Sequence, residues 1–474
     1  TKVYLFGGHL PLTCAAMYTL ALVAVLVTAE TAPARPLKQA VRVRREIRTL
    51  PQEQWDAVIG ALNIMKTTSQ EAGEAQYGSH FVNYDRLVVK HAHAAMHPNC
   101  DQGHFGPAFT TYHRALALVM ENSLLAIDPK VEALPYWDYN LDLEKYDDPR
   151  DSEVWTDKFL GENQGDPKDS WMIRNGPFKE WRVSANLSAI APEVANPYNM
   201  LRGPTNLQYA PRLTRSSSIC GVHTNTTFSI ANWTTCLTKP KKFFDFFNCI
   251  DAGMGGVHSF AHRWLGGAWG ASDGYCAQKQ DAPSVSDRMS GCMVCPQCKV
   301  GEACRCHRNE TACAMANSHG RCQRYPGGDN HPWDPRGPCN TCPECSDGEL
   351  GANGDFWDGA TSPNDPVFWF HHPNVDRLLM EWQLRWKDAP QTALPHSGFP
   401  ESGHCGGHNL QDVMSDTDPF HGSLIGWTGN AALLPLRNKD MLEATIPLQN
   451  SPYTYDTLMS ERKRTILPLN TVVV

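Results

Sequence analysis

Residues 364–386, NDPVFWFHHPNVDRLLMEWQLRW, deliver two adjacent histidines to the junction of a proline-bounded turn and a helix. Pro373 is the strongest local constraint. At a helix's first position its missing N–H costs nothing, and it biases the residue before it toward extended backbone. The spacing therefore predicts a helix beginning near Pro373, with His372 held just outside its entrance. Beyond it Val375, Leu378, Leu379, Trp382 and Trp386 recur at three- and four-residue steps, which makes one buried stripe. The two histidines stand at the buried end of that stripe, and whether they are packed side chains or ligands depends on the other histidines.

Trp55, Val58, Ile59, Leu62 and Met65 repeat at helical spacing and predict an amphipathic helix on the core. In the next helical run, FVNYDRLVVKHAHAAMH, His91 follows Tyr84 by seven residues and Val88 by three, on the apolar face. His93 is rotated by about 200° from His91, so a regular helix cannot bring both to one site. His97 stands before Pro98, where a helix would end. His104 then falls in a loop with Gly106 and Pro107, and His113 heads a long helix whose stripe is Leu116, Met120 and Leu124; Glu121 lies on a different face. His258 and His262 are four apart, one turn above the other on one side of a helix. Gly255, Gly256, Gly266 and Gly267 flank that helix and allow close approach by other segments.

The set is thus His91, His104 and His113 from the first half with His258, His262 and His372 from the second. Three neutral imidazoles suit copper, zinc or iron and leave a coordination position open. No carboxylate stands at the spacing of an iron triad or a di-iron carboxylate bundle, which favours a pair of coppers chemically.

The length of 474 residues allows one large core with an insertion. With 42 Lys and Arg against 50 Asp and Glu, and no basic run, nothing suggests a nucleic-acid partner. Residues 10–29 carry no charge and end in small residues, as a secretory signal does, so 1–29 is expected to be removed. A membrane anchor is the alternative, since about 20 apolar residues can span a bilayer. Pro33 and Pro36 follow at once, and no contact with the membrane is expected after signal removal. Arg42, Arg44 and Arg45 form an Arg-Xaa-Arg-Arg pattern of the kind processing proteases cut, so 30–45 reads as a pro-segment or a solvated basic turn. Of 17 cysteines, eleven fall between Cys276 and Cys345, with Cys292, Cys295, Pro296, Cys298 repeated as Cys339, Cys342, Pro343, Cys345. Zinc thiolates fit that spacing. In an oxidising compartment a disulfide-stapled insert at 276–350 is the expectation. Sequons at Asn186, Asn225, Asn232 and Asn309 agree with a secreted or secretory-lumen protein.

On these residues the chain resembles the tyrosinases, in the type 3 copper family that also holds catechol oxidases and molluscan haemocyanins. YDRLVVKH at 84–91, His104, and His113 followed by Arg114 are similar to its copper-A motifs. PYWDY at 135–139 is similar to the segment after them. His258, His262 and WLGG, then SPNDPVFWFHHPNVD at 362–376, are similar to copper B, and Tyr453 with Tyr455 to the tyrosines that close the catalytic core. The resemblance implies a mainly α protein at 46–455: a four-helix-bundle dicopper core with long loops, a Cys-rich insertion and a tail at 456–474. Two coppers would be held as copper A by His91, His104 and His113, and as copper B by His258, His262 and His372, with His371 supporting from beside the metal. Phe368 matches the ring that orients substrate over the coppers. O2 and small phenols or catechols are the implied partners; the oligomeric state is left open. The activity implied is oxidation of catechols to o-quinones, with ortho-hydroxylation of monophenols. The alternatives are a catechol oxidase without the monophenol step, a zinc-bound or quiet relative, and an O2 carrier, although only 19 residues follow Tyr455, too few for a haemocyanin's covering domain. Two departures stand out. The family's acid and Asn beside copper B are replaced by Asp251 and Ser259, and Gln102 occupies the place where some members carry a cysteine bonded to the second copper-A histidine.

Overall fold

Helical periodicity in the sequence becomes a set of helices around one that is buried on nearly every side. The computed structural model describes residues 41–95, 97, 101–166, 169, 171–183, 210–215, 217–219, 222–223, 230–251, 256–266, 293–294, 307–308, 354–357, 359–386, 406–446 and 451–458. The expected signal, most of the expected pro-segment, nearly all of the Cys-rich insert and the tail from 459 lie outside the described residues.

Among the described residues the helices are α1 (Gln52–Thr67), α2 (Gln70–Tyr77), α3 (Tyr84–Ala95), α4 (Ala108–Ile127), α5 (Tyr139–Lys145), α6 (Ile230–Thr238), α7 (Phe243–Asp251), α8 (Val257–Gly266), α9 (Phe368–Trp386) and α10 (Asn438–Glu443). All of α4 is buried except the half-buried Val119, the pattern of a helix at the centre of a core. Around it pack α9, α1, α7 and α10. The stripe expected on α1 is buried at Trp55, Val58, Leu62 and Met65, with Ile59 packed at its margin. Cys236 and Cys249 form a disulfide joining α6 to α7. No described helix is long and apolar enough to cross a membrane.

One expectation is corrected. α9 begins at Phe368, so Pro373 lies inside it and His372 is helical rather than outside the entrance. Asp365 makes the early start possible. Its side chain accepts from Val367 N (3.0 Å), its carbonyl accepts from Phe368 N (3.0 Å), and Arg215 grips its carboxylate through Nε (2.7 Å) and Nη2 (2.9 Å). A proline near the start of a helix removes a single ladder bond, and the burial of the whole segment outweighs that loss.

Small sheets complete the frame. β1 (Arg42–Arg44) pairs in parallel with β6 (Tyr453–Tyr455), Arg42 opposite Tyr453 and Arg44 opposite Tyr455. β2 (Ser218–Ile219) and β3 (Val222–His223) are antiparallel, as are β4 (Met293–Val294) and β5 (His307–Arg308), which fall within the Cys-rich stretch. The first strand therefore starts inside residues 30–45, ahead of Glu46. Arg44 is fully buried: Nε meets Glu121 Oε2 at 2.7 Å, Nη1 meets Asp376 Oδ2 at 3.2 Å, and its guanidinium lies over the Tyr453 ring at 3.6 Å.

Candidate metal centre

Four helices and one loop carry the histidines. α3 supplies His91, α4 His113, α8 His258 and His262, and α9 His371 and His372; His104 comes from the loop before α4. All seven are buried. Their nitrogens fall into two groups, His91 with His104 and His113, and His258 with His262, His371 and His372, the donor atoms within each lying within 4.8 Å of one another. The two groups adjoin, because the ring of His372 stacks on that of His113 at 4.1 Å and 7°.

Five of these rings are tethered through Nδ1. His91 reaches Ala360 O, His113 reaches Phe109 O and His262 reaches Phe356 O, each at 2.8 Å. His258 meets Asp251 Oδ1 at 3.0 Å, and His104 meets Asp101 Oδ2 at 3.1 Å. A carbonyl oxygen only accepts, so the proton of His91, His113 and His262 sits on Nδ1 and a lone pair is left on Nε2. Yet His91 Nε2 stands 3.1 Å from His113 Nε2, and His262 Nε2 stands 3.0 Å from His258 Nε2. In the first pair two lone pairs face each other with no proton to share. Charging the rings is no remedy, since burial pushes their pKa values well below the ordinary histidine value. A cation at each convergence resolves the conflict, and an all-imidazole donor set suits copper. Carbonyl and carboxylate contacts to the remote nitrogen also fix ligand orientation.

Two supports were not legible in the sequence. The segment 354–361 supplies the carbonyls that hold His91 and His262, one from each group, and Phe356 stacks on His262 at 4.2 Å and 18°. It is itself fixed where Asp355 Oδ2 accepts from Thr214 N (2.8 Å) and Thr214 Oγ1 (3.0 Å). Backbone carbonyls leave no residue-type signature. Asp101, three residues before His104, also accepts from the N–H groups of Gly103 and His104, both at 2.8 Å.

The other expected residues are all at the centre. The Phe368 ring lies 4.0 Å from that of His372 and 5.1 Å from that of His91, and so touches both groups. Asp251 accepts from Ser259 Oγ (3.2 Å) as well as meeting His258, and the Phe105 backbone N–H also lies against its carboxylate. Burial pushes its pKa up to about 7. Gln102 bonds Asp416 in both directions, through Nε2 to Oδ1 (3.2 Å) and from Asp416 N to Oε1 (3.3 Å). His371 packs on His258, His262 and His372 and against Tyr139 and Phe356. His93 and His97 stay apart: His97 meets Asp416 at 3.0 Å, and His93 lines a groove of about 780 Å³ on the outer side of α3 that includes none of the seven histidines.

Residues 82–297 and 299–385, well over half of the chain, match the tyrosinase family model, described as the common central domain of tyrosinase. The chain belongs to the tyrosinase family. The tyrosinase family is one of binuclear copper proteins, and the two histidine groups could hold the two metal ions. It is 32% identical over 156 residues to a tyrosinase-like protein, tyr-3, of Caenorhabditis elegans, a match covering 33% of this chain and 19% of that protein, so the chain spans far less than the whole of that relative. It is 23% identical over 387 residues to a tyrosinase of Streptomyces antibioticus, covering 80% of this chain and 93% of that one. A solved polyphenol oxidase of Thermothelomyces thermophila superposes with a TM-score of 0.47 at 18% identity, covering 89% of this chain and 90% of that one.

Proposed function

We propose that this tyrosinase-family chain is a secreted oxidase that couples reduction of O2 to oxidation of catechols to o-quinones, and that it also hydroxylates monophenols at the ortho position. The observation that carries this reading is the convergence of imidazole lone pairs in two adjoining buried groups, which suits two metals acting together. When bound, the copper pair supplies the two-electron redox chemistry that O2 and a catechol require.

The chain's own residues do the rest. His91, His104 and His113 hold copper A; His258, His262 and His372 hold copper B. Tethering of Nδ1 in five of these rings, and stacking of His372 on His113, hold the ligands in place before metal or substrate arrives, so little is reorganised on binding. Phe368, in contact with rings of both groups, orients the arene over the metals and helps keep water out. Asp251 takes the part of the family's acid. One of its oxygens is engaged by His258 and Ser259, and its carboxylate receives the proton of a monophenol. His371 supports the copper-B ligands by packing rather than by binding metal.

Secretion is supported by the uncharged stretch at 10–29, by the Cys236–Cys249 disulfide and by the exposed sequon Asn232. The deciding experiment is oxygen uptake by the copper-loaded protein with tyramine in one cell and dopamine in another. Uptake with both is expected. Uptake with dopamine alone removes the monophenol step, and none with either, at two coppers per chain, removes the oxidase reading.

A further inference from the structure

Three large apolar side chains are exposed among the described residues, Phe105, Leu433 and Leu434. Among the described residues three non-glycine residues have positive φ, Phe105 at 55°, Trp171 at 58° and Ser415 at 53°. Phe105 is in both sets. It directly follows His104, and from 102 to 118 every residue but Phe105 is buried. Its ring lies 6.1 Å from that of His104. Other phenylalanine and tyrosine rings against the histidines, those of Phe109, Tyr112, Tyr139, Phe356 and Phe368, are buried. Phe105 thus joins the histidine cluster to solvent.

The backbone N–H of Phe105 lies against the Asp251 carboxylate, but its exposed ring does not serve folding. A bulky side chain is unfavourable in the left-handed region, where glycine is at ease. A ring left more than half exposed also gains little from the hydrophobic effect. The loop is held in spite of this. Asp101 accepts from the N–H groups of Gly103 and His104, and His408 sits so close to Gly106 that a Cβ there would lie 2.2 Å from its ring. Strained residues in over-determined loops concentrate where ligands bind.

Resting on the oxidase reading, we propose that Phe105 is the docking platform for the aromatic ring of the phenol at the mouth of the copper centre. A phenol or catechol must shed water from a flat π face to reach the metals, and an exposed ring fixed beside His104 receives that face in an offset or edge-on stack. The contact is made on entry and kept through the reaction, so its effect falls on KM rather than kcat.

The test compares copper-loaded wild type with Phe105→Gly and Phe105→Leu, using catechol. The expected result for Phe105→Gly is a KM raised about three- to tenfold at near-constant kcat, two coppers retained, and a thermal midpoint no lower than wild type because glycine relieves the backbone. Phe105→Leu should fall between. An unchanged KM in Phe105→Gly overturns the proposal, and so does a loss of copper or kcat at constant KM, which would make Phe105 a brace for His104. If wild type consumes no oxygen, the oxidase reading fails by itself, and calorimetric titration with phenol decides the role of Phe105. Weaker phenol binding by Phe105→Gly supports docking, and equal binding by both proteins ends it.

Discussion

At the residue scale, the two neighbouring histidines of α9 divide the work because successive helical residues are turned by about 100°. His372 faces His113 across the centre, whereas His371 lies between His258 and the rings of Tyr139 and Phe356. His372→Ala should therefore lower bound copper from two per chain to one, while His371→Ala should retain both. Elemental analysis after dialysis decides between them, and the opposite ranking would reverse the ligand assignment. Asp251 permits a second separation. Asp251→Asn keeps an oxygen for His258 and Ser259 but gives up the proton-accepting carboxylate. Catechol oxidation should survive within a few-fold, and tyramine hydroxylation should fall by about tenfold to a hundredfold or more. Equal losses on both substrates would reduce Asp251 to a tether.

At the scale of elements, the His104 loop is clamped by the segment from Gly407 to Asp416. His408 meets Asp101 O at 2.5 Å and accepts from Ala108 N at 3.2 Å, while Asn438 donates to Gly407 O and Asn409 O, both at 2.8 Å. With Gln102 bonded to Asp416, the clamp fixes the loop without a covalent link to His104. Gly106→Ala should drive a methyl into His408, at a cost of about 1–3 kcal/mol, and weaken copper A. Adding His408→Ala removes the obstacle, so denaturation of the double variant should show a loss clearly smaller than the sum of the two single losses. Simple additivity would mean that the clash relaxes elsewhere.

At the scale of the whole molecule, chain ends and metal helices meet in one buried ionic network. Arg44 and Arg42 engage Glu121 of α4. Arg44, Arg114 (Nε to Oδ1, 2.5 Å), Tyr453 and Tyr455 converge on Asp376 of α9. Burial pushes both carboxyls up, but the facing arginines outweigh it and hold each below the usual range. Folding is therefore stabilised in full above the unfolded values, about 3.9 for Asp and 4.3 for Glu, and that stability is lost as pH falls through the lower folded values. Denaturation midpoints should be flat above about pH 5 on this account and drop toward pH 3; a rise on acidification would reverse the sign. Arg44→Ala removes one partner from each of two buried carboxylates while Arg42 still faces Glu121 and Arg114 still faces Asp376, and should cost about 1.5–3 kcal/mol. The same region bears on processing. Arg45 O accepts from Tyr136 N and Ile47 N donates to Tyr136 O, both at 2.9 Å, so the bond after Arg45 lies in paired backbone. Intact-mass analysis should find the folded protein uncut there by a dibasic-specific protease and cut once denatured. Cleavage of the native protein would show that β1 opens freely.

Local order in the chain determined what local physics controls. Helical spacing fixed the buried face of α1, whereas α9 is buried on all sides from Phe368 to Gln383; the four-residue step put His258 and His262 on one side of α8, and the absence of carboxylates at ligand spacing pointed to copper. The histidines that gather in the two groups were legible because ligand chemistry restricts residue type, although the second group also takes in His371. Only the tertiary structure decided where α9 begins, since burial and the Arg215–Asp365 pair override a proline's local preference. It alone made Arg42–Arg44 a buried strand, because Glu121 and Asp376, 77 and 332 residues away from Arg44 in sequence, supply the opposite charges. The carbonyls of Phe356 and Ala360 became ligand tethers for the same reason: every residue has a carbonyl, and only the fold determines which of them meets an imidazole.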